Sequence, residues 1–123
     1  MQALIVDDSK TIRLILRKYL GKIGFDVVEA TDGLDGMARL LDMSQADLVL
    51  VDWNMPNMSG VDFVRAARAI RQYDNLPLVM VTTNTEVNHI AVALQAGANE
   101  YIMKPFTQDV IREKLALLGL LKT

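Results

Sequence analysis

Leu48-Val49-Leu50-Val51-Asp52-Trp53-Asn54-Met55-Pro56-Asn57-Met58-Ser59-Gly60 is the stretch on which the fold turns. Leu48 to Val51 is apolar without interruption and lacks the alternation of a strand wet on one face. That pattern suits a central strand covered on both sides, as in a parallel sheet. The run stops at a carboxylate, Asp52, and breaks into a loop marked by Pro56 and Gly60. Open α/β sheets present reactive groups in this way, at the carboxyl end of a buried strand.

Outward from that strand the chain alternates. Ala3 to Val6 reads as a first strand ending in Asp7-Asp8-Ser9, and Phe25 to Ala30 as a second, weaker one. Between them Ile12, Ile15, Leu16, Tyr19, Leu20 and Ile23 repeat at helical spacing, with Arg13, Arg17, Lys18 and Lys22 as a solvated face. Thr31-Asp32-Gly33 is turn and cap chemistry before a second helix carrying Leu34, Met37, Ala38 and Leu41. Beyond Gly60, Phe63, Val64, Ala67 and Ile70 mark a third helix, with Arg65, Arg68 and Arg71 expected outward. Leu78 to Val81 is a fourth buried strand ending in Thr82-Thr83-Asn84, and a fourth helix is expected over about 86–96, stopped by Gly97. Glu100 to Met103 is a short fifth strand before Lys104-Pro105, and Thr107 caps a last helix. Strand and helix alternate five times with no repeat or linker. The fold class is therefore α/β: a five-stranded, doubly wound parallel sheet flanked by five helices. The expected strand order is 2-1-3-4-5, with a crevice where the first and third strands diverge.

Composition narrows the function. At 123 residues, 51% of them hydrophobic and 23% charged, residues 1–123 read as one soluble domain. There is no cysteine, so disulfides and thiolate metal sites are excluded. No apolar run approaches the roughly 18 residues of a membrane span. A net charge of −2 gives no reason to expect nucleic acid. No membrane association and a cytoplasmic location are expected.

The strands of a parallel sheet share one carboxyl edge, and here it collects Asp7, Asp8, Asp52, Thr82 and Lys104. In isolation Asp7-Asp8 is a helix cap with a solvated neighbour, and Asp52 is an Asx-turn starter. Brought together, three carboxylates repel and need a compensating cation. Oxygen ligands without His or Cys suit Mg²⁺. Lys104 suits a phosphoryl oxygen, and Thr82 can donate a hydroxyl hydrogen bond to another. Asp52 is left as the nucleophile, and the site reads as phosphoryl transfer onto an aspartate.

These residues, with Met55-Pro56, Gly60 and Lys104-Pro105, resemble the receiver domains of two-component response regulators over the whole chain. The segments 52–58, Gln95-Ala96-Gly97-Ala98, Tyr101 and Lys104-Pro105-Phe106-Thr107 look most like the stand-alone chemotaxis regulators of that family. The resemblance implies a flavodoxin-like fold and a phospho-switch that catalyses only its own phosphorylation and slow self-dephosphorylation. It implies that Asp52 takes phosphate from a sensor histidine kinase. Asp8, Asp52 and the backbone carbonyl of Asn54 would ligate Mg²⁺, and Asp7 would position a metal-bound water. Thr82 and Lys104 would hold phosphoryl oxygens, Tyr101 would be the switch aromatic moving with Thr82, and Pro105 a cis proline aiming Lys104. The reading surface would comprise residues near Val87, Ile90, Leu94, Ala98, Tyr101, Met103 and Lys114.

The implied partners are the kinase, the flagellar motor switch or another effector, and a phosphatase, with the chain itself a monomer. Other readings of the same site are a relay shuttle passing phosphate to a histidine phosphotransfer protein, a fragment of a larger regulator, and a phosphatase. Against the last, Asn54 stands two residues beyond Asp52 and cannot serve as a carboxylic general acid. Ser59 stands where the chemotaxis relatives carry an acid, Thr83 where a smaller residue is common, and Asn84 at a position that tunes phosphate lifetime. His89, the only histidine, is expected on a solvated helix face.

Overall fold

The computed structural model describes residues 1–83 and 87–121. Five strands, β1 (Gln2–Val6), β2 (Asp26–Ala30), β3 (Leu48–Asp52), β4 (Leu78–Thr82) and β5 (Glu100–Met103), alternate with five helices. The helices are α1 (Lys10–Ile23), α2 (Gly33–Asp42), α3 (Gly60–Arg68), α4 (Val87–Ala96) and α5 (Gln108–Leu117). The sheet is wholly parallel in the expected order, β2-β1-β3-β4-β5. Every residue of β3 and β4 is buried, which accounts for their unbroken apolar runs.

The sheet divides the core in two. Leu4, Val6, Val49, Val51, Leu78 and Met80 pack with Leu40, Phe63, Val64 and Ala67 of α2 and α3. Ala3, Ile5, Leu48, Leu50, Val79, Val81 and Ile102 face Leu16 and Leu20 of α1 and Ile111 and Leu115 of α5. Side chains alternate between the faces along each strand, so both layers are built by one short motif. Helix starts follow side-chain chemistry: Ser9, Asp32, Ser59 and Thr107 each accept a backbone N–H from the first turn of α1, α2, α3 and α5. Ser59 is thus the cap of α3. Gly24 closes α1 at φ 114°, and Gly97 follows α4 at φ 121°.

Several expectations about exposure change, among them the apolar stripe of α2, where Leu34 and Leu41 are exposed and Leu40 is buried instead. Arg13 has only 14% of its side chain exposed: its Nε reaches Glu29 Oε1 at 3.2 Å and its Nη1 donates to the Asp7 carbonyl at 2.8 Å. Arg68 folds back from α3 to donate to the carbonyls of Gly97 (2.9 Å) and Tyr73 (2.5 Å) and to Asn99 Oδ1 (2.8 Å). Long guanidinium stems can lie along apolar surface and turn their heads inward, so helical position alone does not place the charge. Ala98, expected at the reading surface, is buried in the α2/α3 core layer. Asn84 and Glu86 lie outside the described residues, as does the side chain of Val87.

Candidate phosphoacceptor and metal site

Register brings the polar residues together. Val6 pairs with Val51, so Asp7 and Asp52 emerge side by side where β1 and β3 end. Thr82 pairs with Met103, which puts Lys104 just beyond Thr82, and the Lys104 N–H donates to the Thr82 carbonyl at 2.8 Å. The Lys104 ammonium spans the crevice. It lies 3.0 Å from Asp7 Oδ2 and 3.1 Å from Asp52 Oδ1. All three side chains are largely removed from solvent, at 13%, 2% and 11% exposure for Lys104, Asp7 and Asp52. Asp8 is exposed, and one carboxylate oxygen each from Asp7, Asp8 and Asp52 falls within 4.8 Å of the others. The second Asp7 oxygen accepts the Ser9 N–H at 2.8 Å, so Asp7 is held on both sides.

Electrostatics in the cluster are unbalanced. Burial pushes the Asp52 carboxyl above its ordinary pKa, the Asp7 charge adds to the rise, and Lys104 only partly opposes it. Burial works against the Lys104 charge, but its hydrogen bond to Asp7 and the Asp52 charge outweigh that and raise its pKa. One shared ammonium explains why Lys104 does not offset the rise at Asp52: Lys104 feels two acids, whereas Asp52, already desolvated, shares its cation and faces a second anion. Three carboxylates against one ammonium leave a formal charge of −2, equal and opposite to that of a divalent cation. The donor set is all oxygen and suits a hard ion.

The other expected residues have these places. Thr82 is buried and Thr83 beside it is exposed. Asn54 is exposed in the loop after β3. That loop is pinned at its stem, where Gly60 N–H donates to the Trp53 carbonyl at 2.9 Å and a Cβ on Gly60 would collide with the Asp52 carbonyl oxygen. Only glycine fits there. The Lys104–Pro105 peptide is cis, as the resemblance implied. Tyr101 is half-buried against the α2/α3 core layer, with the Lys114 ammonium 4.6 Å from its ring centre. His89, expected on a solvated face, is half-buried with its ring edge-on to Trp53, centroids 5.2 Å apart.

Comparison with known proteins assigns the arrangement to a family. The response regulator receiver domain matches residues 3–116. The chain belongs to the response regulator receiver family. The receiver is 40% identical over 119 residues to chemotaxis protein CheY1 of Helicobacter pylori, covering 96% of each chain. It is 42% identical over 116 residues to chemotaxis protein CheY of Pseudomonas aeruginosa, covering 94% of the receiver and 93% of that protein. Among solved structures, Vibrio cholerae CheY4 superposes with a TM-score of 0.89 at 32% identity, over 95% of the receiver and 97% of that chain. The acidic cluster is consistent with the phosphoacceptor site of this family, whose receivers catalyse only their own phosphorylation and dephosphorylation. Among the described residues no helix is long and apolar enough to cross a membrane.

Proposed function

We propose that residues 1–123 form a two-component phospho-switch in which Asp52 accepts the phosphoryl group of a sensor histidine kinase. The observation that carries this reading is the Lys104 ammonium held between Asp7 and Asp52, with Asp8 completing an all-oxygen cluster. An Asp52 oxygen forms the new bond to phosphorus as the bond to the donor imidazole nitrogen breaks. Lys104, 3.1 Å from Asp52, stabilises charge on the phosphoryl oxygens, and the Thr82 hydroxyl donates to another of them. Asp8, Asp52 and the Asn54 carbonyl would hold Mg²⁺, with Asp7 positioning a bound water. When bound, the ion neutralises the crowded acids and the incoming phosphate. Phosphorylation then draws Thr82 inward and biases Tyr101 and the α4–β5–α5 face between two arrangements.

The chemotaxis names of its relatives support a motor-switch protein as the effector, with a phosphatase ending the signal. The reading places a monomeric receiver in the cytoplasm. Two measurements test it. Asp52→Asn removes acid-labile phosphate incorporation from acetyl phosphate; undiminished labelling refutes the nucleophile. Millimolar Mg²⁺ quenches Trp53, the only tryptophan, and an unresponsive signal with no heat of binding refutes the metal.

A further inference from the structure

The loop that carries Asn54 is pinned a second time, at its tip, by residues that neither the nucleophile nor the acidic cluster uses. Asn57 is the only non-glycine residue with positive φ among those described, at 71°. Asparagine tolerates this left-handed conformation better than most residues. In it, Asn57 Nδ2 donates to Asp32 Oδ2 at 2.7 Å, across 25 positions of sequence. Asp32 is already committed as the cap of α2, where its other oxygen accepts the Asp35 N–H at 2.7 Å. One carboxylate therefore serves two elements, and both bonds hold its pKa below the ordinary value. The next residue, Met58, lies against Gly33, the first residue of α2: a Cβ on Gly33 would meet Met58 Cβ at 2.6 Å and its carbonyl oxygen at 2.7 Å. The tip is thus hydrogen-bonded and packed to the N-terminus of α2, while Gly60 fixes the stem. Asn54 sits between the two pins.

We propose that Asp32 and Asn57 are positioning residues for the divalent-metal site, tying the loop tip to α2 so that the Asn54 backbone is already set before metal arrives. The inference rests on the Mg²⁺ reading above and extends it to residues outside the ligand set. A ligating carbonyl on a free loop would be correctly placed only part of the time, and apparent affinity falls by that fraction. Residues that orient ligands without touching the ion affect affinity on the order of tenfold or more when removed.

The test is calorimetric titration of the full chain with Mg²⁺, in wild type, Asn57→Gly, Asp32→Ser and the double variant. Glycine keeps the left-handed conformation and removes the amide. Serine keeps a capping oxygen for α2 and removes the acceptor of Asn57. Each single variant is expected to bind Mg²⁺ on the order of tenfold more weakly. The double variant should be no weaker than the poorer single one, because both break the same bond. Labelling by acetyl phosphate should return to the wild-type rate at saturating Mg²⁺. A merely structural role would lower thermal stability without this metal rescue, and that result overturns the proposal, as does an additive double variant. Variants that bind as well as wild type overturn it while leaving the metal reading intact. A wild type that gives no Mg²⁺ heat removes both.

Discussion

Two partly buried cations sit at opposite ends of this sheet and are treated in opposite ways. At the carboxyl edge, Lys104 meets two carboxylates at 3.0 and 3.1 Å, and its pKa is raised. At the amino edge, Arg68 meets the carbonyls of Gly97 and Tyr73 and the side-chain oxygen of Asn99, all neutral acceptors. Burial lowers its pKa, and the nearby Asp74 charge only partly opposes this. Arg68 uses a planar fork to tie α3 to the loops flanking β4 and β5, and Gly97 is shaped to it, since a Cβ there would come 2.6 Å from Arg68 Cγ. Its fork is matched to the acceptors around it. The Lys104 end carries excess negative charge, in an all-oxygen cluster able to coordinate a metal ion. One edge is a joint and the other an acidic cluster with a single ammonium, and the difference lies in whether the partners are dipoles or ions.

Exchanging the roles should fail in a specific way. Lys104→Ala removes the one described cation between the acids, and the rate of phosphate uptake by Asp52 should fall on the order of a hundredfold while the domain stays folded. Stopped-flow labelling with acetyl phosphate at saturating Mg²⁺ checks this, and a rate near wild type would leave Lys104 a mere ion-pair partner. Arg68→Ala should do the reverse. It strips donors from four oxygens, the carbonyls of Gly97, Tyr73 and Asp74 and the side-chain oxygen of Asn99, and should cost about 2 kcal/mol in urea unfolding. The folded fraction should still take up phosphate at the wild-type rate. Arg68→Lys should recover little stability, because a point donor cannot span acceptors on four residues.

The same comparison shows which parts were legible in advance. The carboxyl edge could be read because each of its residues ends an apolar run, and the parallel sheet follows from the alternation of strand and helix. Its order was one expected choice among the doubly wound orders and is fixed only by the observed pairing. The helix caps at Asp32 and Thr107 followed from residue type. Arg68 and Arg13 were misplaced because helical periodicity assigns a Cα to a face, whereas each guanidinium lies several bonds away and turns back. Arg68 finds its acceptors 29 and 31 positions on, a separation with no periodic trace. The Asn57–Asp32 bond is hidden for the same reason. Pro56 and Gly60 marked a loop, but the partner of Asn57 across 25 positions appears only when β2 and β3 flank β1. Ala98 was expected at the surface through the resemblance alone, and the structure buries it in the core layer of α2 and α3.

The smallest expected effect tests the imbalance itself. The Asp52 pKa is raised in the folded state by burial and by Asp7, so the native protein holds this proton more tightly than the unfolded chain does. By linkage, the contribution of Asp52 to stability is greatest below the ordinary value of 3.8 and is lost as pH rises through the raised native value. Asp52→Asn abolishes that loss. In chelator, the variant should therefore match wild type near pH 3.8 and become more stable toward neutrality, by on the order of 1 kcal/mol. Adding Mg²⁺ should reverse the order, since only wild type retains the full ligand set and gains RT ln(1 + [Mg²⁺]/Kd). Arg68→Ala, whose hydrogen-bond acceptors are neutral, should differ from wild type by a nearly constant amount across this pH range and show no metal reversal. An Asp52→Asn variant less stable than wild type at neutral pH without metal would mean that Lys104 already balances the acids, and the contrast between the two edges would collapse.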